Sequence, residues 1–169
     1  MKRKSMAFLV VLAMLFTAST KSRAQSSAQQ EIKFAQFYVG RWTCAHTVGD
    51  FSGTYTTTIE NSLGNRWLRQ TYDFPTLGNS SGPAHAEYFI GYDPRNQTWL
   101  RFGAMTDGQY FAMRGKRIGD VWTWGYVLPG TSGSAVYTKK SDSEYTVDGP
   151  SYVENGKPVT EHHRCRRMV

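Results

Sequence analysis

Apolar and polar residues alternate with a period of two along most of the chain after Gly40. Short segments rich in Thr, Tyr, Trp, Val and Phe are separated by Gly, Pro, Asn and Asp, a pattern typical of strands joined by tight turns. It predicts ten strands, at 40–48, 53–61, 65–74, 84–92, 97–106, 108–116, 120–128, 133–140, 143–149 and 158–167. Apolar residues show no sustained 3.6-residue period there, so we expect an all-β chain with one short helix at 29–39.

The links between these strands are of hairpin length, and they contain the residues that tight turns require, as at Asp93–Asn96 and Asp107–Gly108. About ten consecutive strands with short links indicate a meander, because few connections are long enough to cross over a sheet. A meander has two exposed edges unless it closes on itself. We therefore predict an antiparallel up-and-down β-barrel over residues 40–169, preceded by an N-terminal segment, 25–39, that carries the short helix.

The two cysteines of the chain, Cys44 and Cys165, lie in the first and the last predicted strands. In a meander with an even number of strands these two strands run antiparallel, so a disulfide between them would join the seam of the barrel. Opposed cysteines also set the register of the neighbouring pairs, which share one face: Trp42 with Arg167, His46 with His163, and Val48 with Glu161. An Arg167 guanidinium lying across the Trp42 indole would make a favourable cation–π contact.

The first 24 residues have the features of a secretory signal peptide. A basic segment at 2–4 precedes an uncharged apolar run at 6–18, whose 13 residues fall short of the ~20 that cross a bilayer as a helix. Small side chains at Ser22 and Ala24 fit the positions that signal peptidases recognise, which predicts cleavage after Ala24. We expect a bacterial protein exported to the periplasm or the medium, with no stable membrane anchor after cleavage.

Charge and sequence motifs argue against two classes of function, nucleic-acid binding and catalysis. The chain has 20 Lys and Arg against 13 Asp and Glu, a formal charge of +7, but five of the basic residues lie in residues 1–24 with no acidic residue. Fifteen basic residues against 13 acidic ones then remain, and a net charge of +2 gives no electrostatic footprint for nucleic acid. The sequence has no G-x-S-x-G, H-E-x-x-H, Walker or G-x-G-x-x-G motif, so an enzyme is not favoured and no catalytic residue is assigned.

The segment Phe37–Trp42, FYVGRW, resembles the G-x-W opening of the calycin superfamily, the lipocalins and their relatives. In that family a Trp early in the first strand packs at the closed end of the barrel, and an Arg near the chain terminus crosses it. The matching residues here are Gly40, Trp42 and one of Arg164, Arg166 and Arg167. Ile90–Pro94, IGYDP, is similar to a hairpin in secreted bacterial domains of unknown function with lipocalin-like or nitrobindin-like barrels. The resemblance extends from about residue 34 to the C-terminus and implies a barrel that holds one small apolar or amphipathic molecule.

Candidate ligand-binding residues follow from the alternation of faces. Trp122, Trp124 and Tyr126 form one continuous apolar face, which would serve as a pocket wall or as a core stripe. Arginines inside three predicted strands share a face with an aromatic residue: Arg69 with Trp67, Arg101 with Trp99, and Arg114 with Tyr110. Guanidinium groups directed inward would suit a fatty acid or another carboxylate.

We expect these arginines to point outward, because a buried unpaired charge is costly. The alternate faces of the same strands also make a better core: Leu68 and Tyr72; Leu100, Phe102 and Ala104; Phe111 and Met113. The candidate ligand-binding set draws on both interpretations and comprises Trp122, Trp124, Tyr126, Phe102, Tyr72 and Arg101. No cofactor and no metal are expected.

Four alternatives to this function are considered. A nitrobindin-like barrel would hold haem through a histidine of the last strand, His163 or its neighbour His162. An interaction module of the cell envelope would present exposed aromatic patches. A divalent metal at His46 and His163 is less favoured than haem, because two histidines leave the other ligands of a zinc site unfilled. A calycin-like isomerase or decarboxylase would use internal residues such as Glu87, Tyr88 and Arg101.

Overall fold

Ten antiparallel strands follow one another around a closed barrel, and the tenth pairs with the first. The computed structural model describes residues 28–74, 83–128, 133–154 and 157–169; the predicted signal peptide, 1–24, lies outside this part of the chain. The strands are β1 (Gly40–Val48), β2 (Phe51–Ser62), β3 (Trp67–Phe74), β4 (Ala84–Asp93), β5 (Thr98–Met105), β6 (Tyr110–Ile118), β7 (Val121–Leu128), β8 (Ser134–Ser141), β9 (Glu144–Glu154) and β10 (Lys157–Arg167). The predicted all-β meander and its closure are confirmed.

Strands β1 and β10 close the barrel with the register that opposed cysteines predict: Cys44 with Cys165, Trp42 with Arg167, His46 with His163, and Val48 with Glu161. The two cysteines form a disulfide inside the barrel, where both are fully buried. Such a bond is typical of proteins outside the reducing cytoplasm. Closure also removes the free edges that the meander would otherwise expose.

Arg167 fastens the end of the chain across this seam. Its guanidinium carbon lies 4.3 Å from the centre of the Trp42 ring. Its Nη1 donates to the carbonyl oxygen of Val39 (2.6 Å), and its Nη2 donates to that of Phe37. The Trp42 indole in turn donates to the carbonyl oxygen of Tyr38 (2.8 Å). Trp42 and Arg167 thus join the segment before β1 to the end of β10.

One end of the barrel, here the tryptophan end, is filled by large aromatic side chains. Those that are fully buried include Trp42, Trp99, Trp122, Trp124 and Tyr145. Residues 28–35 form an α-helix that continues into the 3₁₀ turn Gln36–Tyr38 and covers this end, as the predicted helix at 29–39 anticipates. The Tyr38 ring stacks on Trp122 with 4.9 Å between ring centres. In the described part of the chain, no helix has the length and apolarity to span a membrane.

Glu31 ties the helix to the barrel wall. Its carboxylate accepts hydrogen bonds from Arg117 Nε (2.8 Å) and Nη2 (2.5 Å), and from the Trp99 indole (2.9 Å). Burial, the largest influence, acts to raise the pKa of Glu31, but the hydrogen bonds from Arg117 and Trp99 outweigh it, and the pKa lies below its ordinary value. The ionised carboxylate therefore stabilises the docked helix at neutral pH.

The predicted faces are confirmed for β3 and β6 and are wrong for β5. In β3 and β6 the inward residues are Leu68, Tyr72 and Met113, and Arg69 and Arg114 lie on the outer face. In β5, Trp99 and Arg101 point inward, being 2% and 6% exposed, whereas Phe102 is 44% exposed. The Trp99 indole packs against Trp122, with 4.6 Å between ring centres, and bonds to Glu31. Because side chains alternate, an inward Trp99 brings Arg101 inside as well.

Candidate functional site

The end opposite the tryptophan end, here the histidine end, is not completely filled. A cavity of about 120 Å³ extends from the middle of the barrel to His163, whereas the space left at the tryptophan end is about 10 Å³. The larger cavity is smaller than the ~300–1,000 Å³ of sites for drug-sized ligands. Its aromatic lining consists of Tyr55, Tyr72, Phe74, Tyr88, Phe111, Tyr126 and Tyr137.

Arg101 lines the inner part of this cavity. Its Nη1 donates to the Tyr137 hydroxyl (2.5 Å), and its Nη2 donates to the Tyr72 hydroxyl (2.8 Å). Nη2 also lies 3.4 Å from Gln70 Oε1, and the Gln70 amide nitrogen donates to Thr57 Oγ1 (3.2 Å). The Arg101 Nε is buried and has no hydrogen-bond partner among the described residues.

The groups in contact with the Arg101 guanidinium are neutral. No carboxylate of the described residues lies within 4.0 Å of its nitrogens, and the nearest ring centres are those of Tyr88 (4.8 Å) and Phe111 (5.3 Å). Burial raises the pKa of Tyr72 well above its ordinary value, although the nearby Arg101 charge acts to lower it. Burial likewise raises the pKa of Tyr88 to about 12. These phenols stay protonated at neutral pH, so they do not neutralise the guanidinium.

A second polar group lies at the histidine end, where His46 of β1 faces Glu161 and His163 of β10. The two imidazole rings stack with their centres 4.4 Å apart. Both Nε2 atoms approach the same carboxylate oxygen, Glu161 Oε2, which lies 3.3 Å from that of His163 and 3.9 Å from that of His46. The Tyr55 hydroxyl lies 3.0 Å from His163 Nδ1. His46 is 6% exposed, and its Nε2 has no hydrogen-bond partner in the described chain.

The protonation states of this group follow from its burial. Burial, the largest influence, lowers the pKa of His163, and the opposing effect of Glu161 does not cancel it. Burial acts to raise the pKa of Glu161, but the hydrogen bond with His163 and the proximity of His46 lower it overall. At neutral pH the group therefore contains a neutral His163 imidazole and an ionised Glu161 carboxylate.

The six predicted ligand-binding residues lie in three different places. The cavity is lined by three of them: Tyr72, Arg101 and Tyr126. Trp122 and Trp124 are buried at the tryptophan end, where they serve as a core stripe. Phe102 is on the outer face of the barrel, beside the exposed Tyr110 and Leu128. The expectation that Phe102 faces the interior is therefore wrong, and its side chain does not reach the cavity.

Three residues of the site were not identified from the sequence. Tyr137 and Gln70 hold Arg101, and they meet it only because the closed barrel brings β3, β5 and β8 together, a contact that leaves no sequence signal. Glu161 was placed by the predicted register on the inward face of β10, two residues before His163. Its spacing from His163, two residues along one strand, is the sequence signal that puts both side chains on the same face.

The residues of the enzyme alternative are not brought together. Glu87 lies on the outer face of β4, where it accepts a hydrogen bond from Arg69 Nε (2.7 Å). Tyr88, the next residue, is buried inside beside Arg101. An acid on one face of a strand and its intended partners on the other cannot act on one substrate.

The surroundings of His163 do not fit haem, the cofactor that a nitrobindin-like barrel would imply. Haem held by His163 would need space for its macrocycle beside the ring, but that ring stacks on His46 and its Nε2 faces the Glu161 side chain, 3.3 Å away. The cavity beside it, about 120 Å³, is also smaller than the ~300 Å³ at which sites for drug-sized ligands begin. The neighbouring His162 points outward to Asp148 (2.9 Å).

Comparisons with known proteins assign no family. No protein-family model matches the chain, and no curated protein sequence matches it. Among solved structures, a redesigned β-barrel is similar to it, at 11% sequence identity and a TM-score of 0.47, over 80% of this chain and 95% of that chain. The class that the fold itself defines is a closed, disulfide-bonded, ten-stranded antiparallel β-barrel with an internal cavity.

Proposed function

We propose that this protein is an exported, calycin-like barrel that binds a small anionic amphipathic molecule, with the anionic group beside Arg101. The observation that supports this function is the Arg101 guanidinium, a permanent charge that is 6% exposed and held by neutral groups. Burying a cation without a counter-charge costs several kcal/mol. A bound anion would offset that cost, and the cavity lies where the anion would have to be.

The phenols beside Arg101 supply further donors for an anion. Tyr72 and Tyr137 each accept a hydrogen bond from the guanidinium through the hydroxyl oxygen, which leaves the hydroxyl proton to donate elsewhere. In the described part of the chain, neither proton has an acceptor. Two phenol protons next to a guanidinium match the two oxygens of a carboxylate, and such charge-assisted bonds are stronger than neutral ones.

The cavity limits the size and polarity of this ligand. Its volume of about 120 Å³ admits a carboxylate with a short apolar chain. Aromatic rings such as those of Phe111 and Phe74 line the cavity, and they favour an apolar chain over a polar one; Glu161 and His163 line it as well, and the carboxylate of Glu161 disfavours a second anionic group there. Export is supported by the predicted signal peptide and by the Cys44–Cys165 disulfide.

Calorimetry with pairs of ligands that differ only in charge tests this function. We expect short-chain carboxylates to bind the oxidised protein about 10–100-fold more tightly than the alcohols of equal chain length, as hydrogen bonds to a charged group imply. Arg101→Met, which replaces the guanidinium by an apolar side chain, should remove this preference. Arg69→Met, which removes an arginine of the outer face, should leave it unchanged.

A carboxylate that binds no better than its matched alcohol would refute the proposed function. So would a preference that survives in Arg101→Met. The fold of this variant is checked by near-ultraviolet circular dichroism, and we expect it to be retained, because methionine leaves no charge to bury and the hydroxyls of Tyr72 and Tyr137 then face a cavity that can hold water.

A further inference from the structure

The geometry points to a divalent transition-metal site formed by His46, Glu161 and His163 at the histidine end of the barrel. It goes beyond the proposed function and does not depend on it, because it rests on side chains other than Arg101. One nitrogen from each histidine and one carboxylate oxygen all lie within 4.8 Å of one another. These three protein ligands would leave the remaining coordination positions of the ion directed at the cavity.

The spacing of the three ligand atoms is close to that of a bound site. Metal–ligand bonds of about 2.1 Å in tetrahedral geometry place the ligand atoms roughly 3.4 Å apart. Glu161 Oε2 lies 3.3 Å from His163 Nε2 and 3.9 Å from His46 Nε2. Small rotations of the side chains would therefore bring the three atoms to coordinating distance without a change in the backbone.

An unpartnered nitrogen provides independent support for an ion. His46 is 6% exposed, and its Nε2 is directed at the cluster with no hydrogen-bond partner in the described chain. Most buried side-chain nitrogens have a partner, and among the five buried polar atoms without one in the described chain, His46 Nε2 is the one that lies beside two other metal-binding side chains. A metal ion between His46 and Glu161 would be that partner.

The surroundings orient the ligands as metal sites require. The Tyr55 hydroxyl lies 3.0 Å from His163 Nδ1; with the proton on Nδ1 donated to Tyr55, the lone pair of Nε2 is free to bind the ion. The Cys44–Cys165 disulfide lies two residues from both histidines and holds their strands in register.

A β-bulge between β10 and β9 lies beside Glu161, on the side of β10 away from β1. The register with β9 shifts between Thr160 and His162, so Gly149 and residue 150 lie opposite Glu161. Gly149 has a φ of +100°, and a Cβ there would lie 2.2 Å from the Ser134 carbonyl oxygen, so only glycine fits this position. Such bulges occur at barrel rims and beside functional sites, where they redirect side chains.

The ligand set selects the class of ion. Two imidazoles and one carboxylate suit Zn²⁺, Co²⁺ or Ni²⁺, whereas Mg²⁺ and Ca²⁺ prefer sites made of oxygen ligands. Three protein ligands with an open position are also the arrangement of zinc sites that bind a water or a further molecule. We therefore expect Zn²⁺ to bind and Mg²⁺ not to compete.

Equilibrium dialysis of the oxidised, EDTA-treated protein against zinc chloride alone, with the bound metal measured by mass spectrometry, tests this site. We expect one zinc per chain, no displacement by excess Mg²⁺, and at least tenfold weaker binding in His46→Ala, Glu161→Gln and His163→Ala. The matched control is His162→Ala, which removes an outward histidine of the same strand that pairs with Asp148. It should bind zinc as the wild type does.

A conservative variant keeps the test valid where a ligand variant fails to fold. Tyr55→Phe keeps the ring and removes only the hydroxyl next to His163, and loss of such an outer partner lowers metal affinity by about 10–100-fold. No bound zinc, zinc bound equally by His46→Ala and the wild type, or a loss of binding as large in His162→Ala would overturn the site. Because Arg101 is intact in all these variants, failure here leaves the carboxylate result unaffected.

Discussion

Replacement of Arg167 by methionine is expected to destabilise the barrel at its seam. The variant keeps an unbranched side chain but loses the guanidinium, which donates to the carbonyl oxygens of Val39 and Phe37 and lies 4.3 Å from the Trp42 ring. We take about 1.5 kcal/mol for each hydrogen bond from a charged donor and about 1 kcal/mol for the cation–π contact. The free energy of unfolding should therefore fall by about 4 kcal/mol.

A double-mutant cycle isolates the contact between the guanidinium and the indole. Trp42→Leu alone removes a fully buried indole and should cost about 3 kcal/mol. Because either single variant already removes the cation–π contact, the double variant should be less destabilised than the sum of the two by about 1 kcal/mol. Urea unfolding followed by circular dichroism, with the disulfide intact in all four proteins, measures these free energies.

Additivity of the two changes to within about 0.3–0.5 kcal/mol would refute the assignment of Arg167 and Trp42 to one seam contact. The control is Arg166→Met, which removes a neighbouring arginine of the outer face that pairs with Glu144. Exposed ion pairs contribute little, so this variant should change the free energy of unfolding by about 0.5 kcal/mol or less and show no coupling to Trp42.

Three further predictions concern the disulfide, the helix and the packing of the wall. Reduction of the Cys44–Cys165 bond, which spans 121 residues, should lower the free energy of unfolding by about 3–5 kcal/mol in urea titrations with and without reductant; an unchanged midpoint would contradict this. Because the pKa of Glu31 is lowered in the folded state, its contribution is present above about pH 4.3, the unfolded value, and is lost as the pH falls through the folded pKa. Glu31→Gln should thus be less stable than the wild type at pH 7 and equally stable near pH 2–3. A difference in the free energy of unfolding that persists in acid would argue against an ionised Glu31. Gly103→Ala, whose Cβ would lie 2.1 Å from backbone and ring atoms, should lower Tm and cost about 1–3 kcal/mol or more, whereas Gly125→Ala meets no atom within 4 Å and should have little effect.

The strand order and the register were predictable because they depend on the residues of each strand and on how many strands there are. Period-two alternation and the turn residues mark each strand by itself, and an even number of antiparallel strands then fixes how the first meets the last. One cysteine pair sufficed to place His46 opposite His163 and Trp42 opposite Arg167. The same register puts the Arg167 guanidinium across the Trp42 indole, as the structure has it, whereas the hydrogen bonds of Arg167 to the carbonyl oxygens of Val39 and Phe37 depend on side-chain direction and required the structure.

Which face of each strand points into the barrel was less predictable. Alternation divides the side chains of a strand between two faces, but packing and charge decide which of the two is buried. The rule that a buried unpaired charge is costly placed Arg101 outside, and the same rule was right for Arg69 and Arg114. It failed at β5 because Trp99 is bonded to Glu31 of the helix, a contact between residues distant in the sequence. The rule also took no account of Tyr72 and Tyr137, which meet Arg101 across the closed barrel.

Arg101 and the group of His46, Glu161 and His163 border the same cavity, which Arg101, Glu161 and His163 line, and this is the reason to seek function there. Arg101 carries a charge with no counter-charge in contact, and His46 Nε2 is a buried nitrogen with no partner among the described residues. The tryptophan end also has buried polar atoms without a partner among the described residues, the Tyr38 hydroxyl and the indole nitrogens of Trp122 and Trp124, but the space left there is only about 10 Å³. The two ends therefore differ in the room beside such groups. Where a cavity adjoins them, a ligand or an ion can supply the missing interactions.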